Sequence, residues 1–419
     1  MEILSFPVGL LVGVIPVYVS LAPEESPARL FLDGREVCVL STASPSCQID
    51  LGGDLAMHRL ELVGPEREGG PARVERWINR PGQEAELFLR IDKQPNALRV
   101  NVGWAHPEKL LPREVRLQIG GTERALKPGE PFVWQQPLRE PSILVAEALF
   151  PDGRRAQRSV VLQADFAEEA ESSLSPIVVE VEPGIEVPTE LLGCRVVAVE
   201  EGDAVIGVVA HPAAVRALAD EILAGSFAGS RRSQLLDSRI PFLRQVVAIG
   251  ATPQLPQRET IAKPSSGKGK RAAGIVTLPA NLPFEGRHEP RRFADAVALG
   301  AFRVGSWPGR RAVVLILDGQ CVNDHSVFKA GTVTRYLEQL HIPLVIWSAG
   351  AVNCPQWPTP RDVSSSSRFD AALVELEHLL RRQRLLWLQG ELPFPMTPSP
   401  WPRGIGPPKG TKSAAQVRD

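Results

Sequence analysis

The hydrophobic period of this chain changes once, and that change constrains its fold more than any single motif. Up to about residue 165, apolar residues recur in short alternating runs: ARLFLDG, CQIDLGG, HRLELVGP, ARVERWINR, EAELFLRI and LRVNVGWA, separated by Gly, Pro and Asp turns. Period-two runs at this spacing predict half-buried strands, and a succession of them predicts a β-sandwich. Beyond about residue 190 the apolar runs become continuous and alternate with helical spacing. AVIGVVA precedes AAVRALADEILAGSF, RRAVVLILDG precedes TVTRYLEQLH, and IPLVIWSAG, FDAALVELEHLLRRQ and LLWLQG follow. Continuous strands alternating with amphipathic helices predict parallel βαβ units covered on both faces. The expected class is multidomain β plus α/β: two Ig-like β-sandwiches followed by a doubly wound, Rossmann-like α/β domain.

The expected boundaries follow composition. Residues 1–95 form the first sandwich and 96–165 the second. The acidic, small-residue stretch DFAEEAESSLS marks a linker over 166–189. The α/β domain spans 190–392, with a polar, locally basic insertion at 253–274 expected to be flexible. Residues 393–419, rich in Pro, Gly and Lys, are expected to be a disordered tail. A weak internal repeat supports two sandwich modules: LFLDG, LELVGP and the segment around Val74 find counterparts in LQIGG, ALFP and the segment around Val160, each 86 or 87 residues on.

The 419 residues carry 47 Lys and Arg against 48 Asp and Glu, a net charge of -1. That balance argues against a nucleic-acid surface, which needs a basic excess, and gives no reason for membrane-surface binding. A protein partner is the remaining expectation. The apolar stretch from Phe6 to Ala22 is interrupted by Pro7, Gly9, Gly13 and Pro16, so no integral span is expected. Two readings of it stay open. It forms two opening strands, with Val14, Val17 and Val19 as β-branched positions. Or it is a secretory leader ending at Ser20-Leu21-Ala22, although it lacks a basic n-region.

Five cysteines carry the compartment argument. Cys38 and Cys47 bracket the turn-forming STASPS and face each other across it as a disulfide, or else are two small buried apolar residues. Cys321 and Cys354 come within bonding range if the strands of Ile316 and Ile346 are neighbours. Cys194 is left over. No Cys or His spacing fits zinc. Disulfides require an oxidising compartment, so an extracytoplasmic location is expected, with the cytoplasm as the alternative because the leader is poor.

In an open parallel sheet, ligands bind beyond the carboxyl ends of the strands where strand order reverses. The turns to inspect are Ala210-His211-Pro212, Asp318–Ser326 and Ser348–Cys354. The middle one, DGQCVNDHS, is the most polar, and Asp318, Asn323, Asp324 and His325 form its ligand-facing set. Asp318, Asp324 and His325 offer acid/base groups or oxygen ligands. The competing reading is structural: Asp-Gly ends a strand and Asn323 to Ser326 caps the next helix. No G-x-S-x-G elbow is present, nothing activates Cys321 beside His325, and SSGKGKR lacks phosphate-loop spacing. No catalytic residue and no cofactor is therefore expected. His58, His106 and His341 are isolated and read as structural. Trp307 and Trp357, beside Pro308 and Pro355, are placed in loops.

RRAVVLILDG, VTRYLEQLHIPLVIWSAG and DAALVELEHLLRRQRLLWLQGELP together resemble the later strands and helices of the von Willebrand factor type A family. The likeness is to the divergent kind found in acidobacterial and related proteins. LFLDGREVC, CQIDLGG and AEALFPDGRRA look like its accompanying Ig-like modules, and the resemblance covers most of residues 25–392. The family's metal-ion-dependent adhesion site uses Asp-x-Ser-x-Ser after the first strand. Here the matching positions are Ala210, Pro212 and Ala214, which offer no side-chain oxygen. Asp318 matches the later Asp and is the residual metal candidate, but one carboxylate cannot hold a divalent ion that wants about six oxygens. The resemblance thus implies a degenerate, metal-free type A domain in a non-enzymatic interaction or scaffolding protein. The rivals are a hydrolase-like enzyme using Asp318 and His325, and an adhesion module with unconventional metal ligands.

Overall fold

The computed structural model describes residues 1–5, 9–66, 71–82, 85–94, 97–106, 108–119, 122–135, 142–162, 174–227, 240–261, 274–286, 289–319, 321–389 and 401–410. The chain divides into two compact units. Unit 1 comprises Met1–Ser175, Pro188–Ala198 and Trp387–Ser399; unit 2 comprises Pro176–Val187, Val199–Leu386 and Pro400–Asp419.

Unit 1 opens with seven strands: β1 (Glu2–Ser5), β2 (Val14–Ser20), β3 (Ala28–Leu32), β4 (Arg35–Leu40), β5 (Ser46–Asp50), β6 (His58–Val63) and β7 (Arg73–Ile78). They form a three-stranded sheet in the order β1-β2-β5 and a four-stranded sheet in the order β4-β3-β6-β7. Alternate residues of the two sheets, including Ile15, Val17 and Ile49 from one and Leu30, Leu60 and Leu62 from the other, make one shared core. The Phe6–Ala22 segment therefore contributes strand and core from Val14 onward, because Val17 and Val19 must be covered. The Cys38–Cys47 disulfide ties β4 to β5, one strand from each sheet.

Seven more strands repeat the plan: β8 (Glu86–Gln94), β9 (Ala97–Ala105), β10 (Glu114–Ile119), β11 (Thr122–Leu126), β12 (Phe132–Trp134), β13 (Ser142–Leu149) and β14 (Arg155–Leu162). Their sheets run β12-β9-β8 and β11-β10-β13-β14, the same three-and-four division in the same relative order. Strand β3 corresponds to β10, β6 to β13 and β7 to β14, as the repeat spacing expects. The boundary at residue 95 is corrected. Strand β8 pairs with β9 from Glu86↔Ala105 to Gln94↔Ala97, so a cut there splits a hairpin. Leu87 also packs with Leu98, Leu117 and Leu144 in the second core.

The linker is corrected as well. Residues 163–173 lie outside the described set, but β15 (Leu174–Val181) is a strand with Ile177, Val178 and Val179 buried. A small hairpin, β16 (Glu190–Leu191) with β17 (Cys194–Glu200), follows; Cys194 is buried and outside both disulfides, and burial pushes its thiol pKa up.

Unit 2 is organised by a six-stranded sheet. Its elements are β18 (Ala204–Ala210), α1 (Pro212–Phe227), β19 (Leu243–Gly250), β20 (Gln257–Ile261), α2 (Gly274–Ala280), α3 (Phe293–Gly305), β21 (Arg310–Leu317), α4 (Ala330–Gln339), β22 (Leu344–Ser348), β23 (Arg361–Asp362) and α5 (Ser366–Arg381). Strand order is β20-β19-β18-β21-β22-β23, with all pairs parallel except β19·β20. Every residue of β18 is buried, the continuous pattern of a strand covered on both faces. One face packs Ile206, Val208, Val314 and Ile316 against Val215, Ile275, Phe369 and Leu373 of α1, α2 and α5. On the other, α3 comes close because glycine lines the contact. A Cβ at Gly207 would meet Val304 at 3.2 Å, and one at Gly300 would meet Val209 at 3.4 Å.

Three expectations fail here. The 253–274 insertion is not wholly irregular, since β20 extends the sheet; its remainder, 262–273 with SSGKGKR, lies outside the described residues. LLWLQG is not the last strand of this sheet. The edge beyond β22 is closed by β23, and β24 (Gln383–Gln389) instead lies beside β15, whose other neighbour is β25 (Ile405–Gly406). The tail is not structureless throughout, because β25 pairs with β15 and Ile405 is buried; residues 390–400 and 411–419 are outside the described set.

Candidate functional site

Strand order reverses between β18 and β21: the chain runs outward from β18 through β19 to β20, then returns to the other side of β18 as β21. The residues at that switch are His211, directly after β18, and Asp318, directly after β21. Both meet a segment that sequence reasoning did not single out, Glu289 to Arg292, which leads into α3. Arg291 is 3% exposed and donates from Nε and Nη2 to Asp318 Oδ2 at 3.1 and 2.9 Å; its Nη1 donates to the Glu289 carbonyl at 2.8 Å. His211 is fully buried, with Nε2 3.3 Å from Glu289 Oε1 and Phe284 edge-on to its ring. Burial, then the Arg291 charge, hold the His211 imidazole below its ordinary pKa against the pull of Asp318 and Glu289.

The loop after β21 is held just as firmly. Asp324 accepts the backbone N–H groups of Phe293 and Ala294 at 3.1 and 3.3 Å, and also binds the Ser326 N–H and hydroxyl. It therefore does cap a helix, but the one behind it. The expectation that Asn323 to Ser326 caps the following helix is corrected: α4 begins at Ala330 after Lys329, whose side chain makes no cap. Asp295, buried in the first turn of α3, accepts Val327 N–H and Phe328 N–H at 3.0 Å each and pairs with Arg292. The His325 N–H donates to the Arg291 carbonyl at 2.7 Å. The Cys321–Cys354 disulfide then ties this loop to the one after β22, and Gln356 donates to the Cys321 carbonyl.

The structure thus brings Asp318 to Arg291 and Asp324 to α3, and does not bring Asp318 and His325 together as an acid/base pair. The His325 side chain is exposed and makes no hydrogen bond to the described residues; Asn323 is exposed in a short 3-10 turn, Cys321–Asn323. The metal site implied by the type A resemblance does not fit. Ala210, Pro212 and Ala214 carry no side-chain oxygen, and Asp318 Oδ2 is bound by a guanidinium. Among the described residues no three His, Cys, Asp or Glu side chains group to hold a metal. Beside the exposed Asn323, His325 and Lys329, the loop presents two apolar side chains outward, Val322 and Val327, 60% and 71% exposed.

The missed residues had a signal. HEPRRFADA places Glu289, Arg291, Arg292 and Asp295 immediately before and within a helix start, an unusual charge density for a segment bordering buried apolar residues. The isolated histidines are structural. His58 pairs with Asp33 at 2.8 Å, His106 with Asp152 at 3.1 Å, and His341 Nδ1 with the Val178 carbonyl at 3.2 Å. Trp357 is buried in its turn, so it offers no aromatic contact surface. A separate cleft of about 660 Å³ runs along β22 and α5, where Arg361 pairs with Glu375 at 3.1 Å and Arg382 with Glu180 at 3.0 Å. None of the switch-point residues lines it.

No protein-family model matches the chain, and no curated protein matches it. Among solved structures it is similar to the central fibronectin-III array of RIM-binding protein, at 11% identity and TM-score 0.23, covering 43% of this chain and 74% of that one. Fibronectin(III)-like modules of Clostridium thermocellum CbhA match at 10% identity and TM-score 0.15, over 38% of this chain and 91% of theirs. A two-domain fibronectin type-III segment of chicken tenascin matches at 13% identity and TM-score 0.16, over 39% and 98%. Likenesses at this level define neither fold nor function. No helix among the described residues is long and apolar enough to cross a membrane.

Proposed function

We propose that the chain is a non-enzymatic protein-binding or scaffolding protein, whose unit 2 is a degenerate, metal-free α/β domain of the von Willebrand factor type A kind. The observation that carries this is the engagement of the polar groups at the switch point. Asp318 neutralises Arg291, Asp324 and Asp295 hold backbone N–H groups, and the loop so fixed displays Val322 and Val327. A carboxylate bound to a buried guanidinium is a poor general base and a poor metal ligand. A rigid loop with exposed apolar side chains suits protein association, because little entropy is lost on docking. Two disulfides, one in each unit, support a location outside the cytoplasm, because such bonds persist in oxidising compartments.

The test is capture of the partner by full chain and by the double variant Val322→Arg/Val327→Arg, each with and without EDTA. The reading expects a retained partner that the double variant loses and EDTA leaves in place. Capture unaffected by the two arginines, or abolished by EDTA, contradicts it.

A further inference from the structure

At the amino edge of the same sheet three guanidiniums converge. Arg310 opens β21, Arg381 closes α5 and Arg384 lies in β24. Arg310 is 4% exposed. Its guanidinium lies over the Phe242 ring at 4.5 Å, and that of Arg381 lies over the same ring at 5.4 Å. Burial foremost, and the neighbouring Arg384 and Arg381 charges, hold Arg310 below its ordinary pKa, with Glu201 opposing.

One carboxylate serves two of these cations. Glu201 Oε2 accepts from Arg310 Nη2 at 3.0 Å, while Oε1 lies 3.1 Å from Arg384 Nη2. The arginines are fixed from behind. Arg310 Nε donates to the Gln383 carbonyl at 3.4 Å, and Arg384 Nη1 donates to the carbonyls of Arg381 and Gln383 at 2.6 and 2.9 Å. Arg381 is paired with Glu377. Nη1 of Arg310 has no hydrogen-bond acceptor among the described residues. Glu201, by contrast, is 70% exposed and sits on residues 201–203, which join β17 to β18 without regular structure.

Rigid, oriented guanidinium donors facing one exposed loop carboxylate form a receptor with a replaceable occupant. Arg is suited to this role because its planar donors match a carboxylate, whereas an exposed carboxylate on a loop is held weakly and screened by solvent. We propose that Arg310 and Arg384 form a binding site for a carboxylate of an acidic protein segment, and that Glu201 is its internal occupant, displaced when the segment binds. The site is remote from the Val322 and Val327 loop, at the other end of β21, and does not depend on the function proposed for that loop.

The experiment titrates full-length chain by calorimetry at low ionic strength with N-acetylated, C-amidated tetraglutamate, and separately with inorganic phosphate. Glu201→Gln should bind the peptide at least tenfold more tightly than the unsubstituted chain, because the competing internal carboxylate is removed at nearly constant side-chain size and the two guanidiniums are left without it. Adding Arg384→Gln should abolish that gain. Arg384→Gln alone should weaken peptide binding by the unsubstituted chain at least threefold, which keeps the proposal testable if Glu201→Gln does not fold. No gain in Glu201→Gln, a gain that survives Arg384→Gln, or an unchanged affinity in Arg384→Gln alone overturns the proposal. A gain for phosphate with none for the peptide overturns the carboxylate assignment.

Discussion

The two edges of the parallel sheet use charge in opposite ways. At the carboxyl edge, Asp318, Asp324 and Asp295 are enclosed by Arg291, Arg292 and backbone N–H groups, so the charges act as fasteners. At the amino edge the cations are the fixed partners and a single exposed carboxylate answers two of them. The difference teaches that polarity in a strand-to-helix turn is not by itself evidence of chemistry. What matters is whether each group has a fixed internal partner or an exposed one.

The comparison is broken most severely by removing the cation of the carboxyl edge. Arg291→Ala removes the guanidinium that binds the mostly buried Asp318, and breaking a buried ion pair from one side costs about 3–5 kcal/mol. Urea unfolding of the variant should show a loss of that order. A loss under about 1 kcal/mol would mean the pair is only incidental.

Acid sharpens the contrast from the other side. His341, between α4 and β22, is held neutral to a pKa of about 4, by burial first and then by the Arg311 charge, while the hydrogen bond to Val178 opposes. Above pH 6.5 the imidazole is neutral folded or unfolded and contributes no pH dependence. As pH falls from 6.5 towards 4, the unfolded chain takes up the proton and the native one does not, so stability is lost across that window. At about 1.4 kcal/mol per pKa unit the loss is about 3 kcal/mol. His341→Gln should flatten the stability–pH profile between 6.5 and 4 by about that amount; an unchanged slope would refute the assignment.

A smaller effect belongs to the cap. Asp324→Ala removes the acceptor of two N–H groups at the start of α3, and helix caps contribute about 1–2 kcal/mol. Asp324→Asn should recover most of it. Equal losses in both variants would point to charge rather than capping.

The smallest contrast sets one unit against the other. The Cys321–Cys354 bridge closes 33 residues of sequence and Cys38–Cys47 closes 9. Loop-closure entropy makes the longer bridge more stabilising by about 1 kcal/mol. Paired Cys→Ser variants, each followed by the unfolding of its own unit, test this ordering.

How much was legible follows from the same physics. The repeat of 86 or 87 residues was visible because the sequences LFLDG and LELVGP, at the ends of β3 and β6, resemble LQIGG and ALFP, and the segment around Val74 in β7 resembles that around Val160 in β14. The boundary between the modules was misplaced because EAELFLRI and LRVNVGWA read as two independent strands, and nothing local says which core Leu87 joins. The parallel strands announced themselves through unbroken burial, as in β18. Strand β24 has the same apolar character, so its sequence could not say which sheet would cover it. In the loop after β21 the capping role of Asp324 was legible, but not its target, since α3 lies behind it in sequence. The charge density of HEPRRFADA marked the Arg291 segment, but its pairing with Asp318 was not legible, because the partner lies 27 residues away and no local pattern joins them.

The central claim is that the carboxyl-edge loop is a single rigid unit fastened by Arg291 and its neighbours. Hydrogen exchange at the amides of Phe293, Ala294, His325, Val327 and Phe328 tests it most directly, in the unsubstituted chain and in Arg291→Ala. The account predicts protected amides in the first, and joint loss of protection in the second while the amides of β21 stay protected. Free-chain exchange rates at these amides in the unsubstituted protein, or protection unchanged in Arg291→Ala, would contradict it.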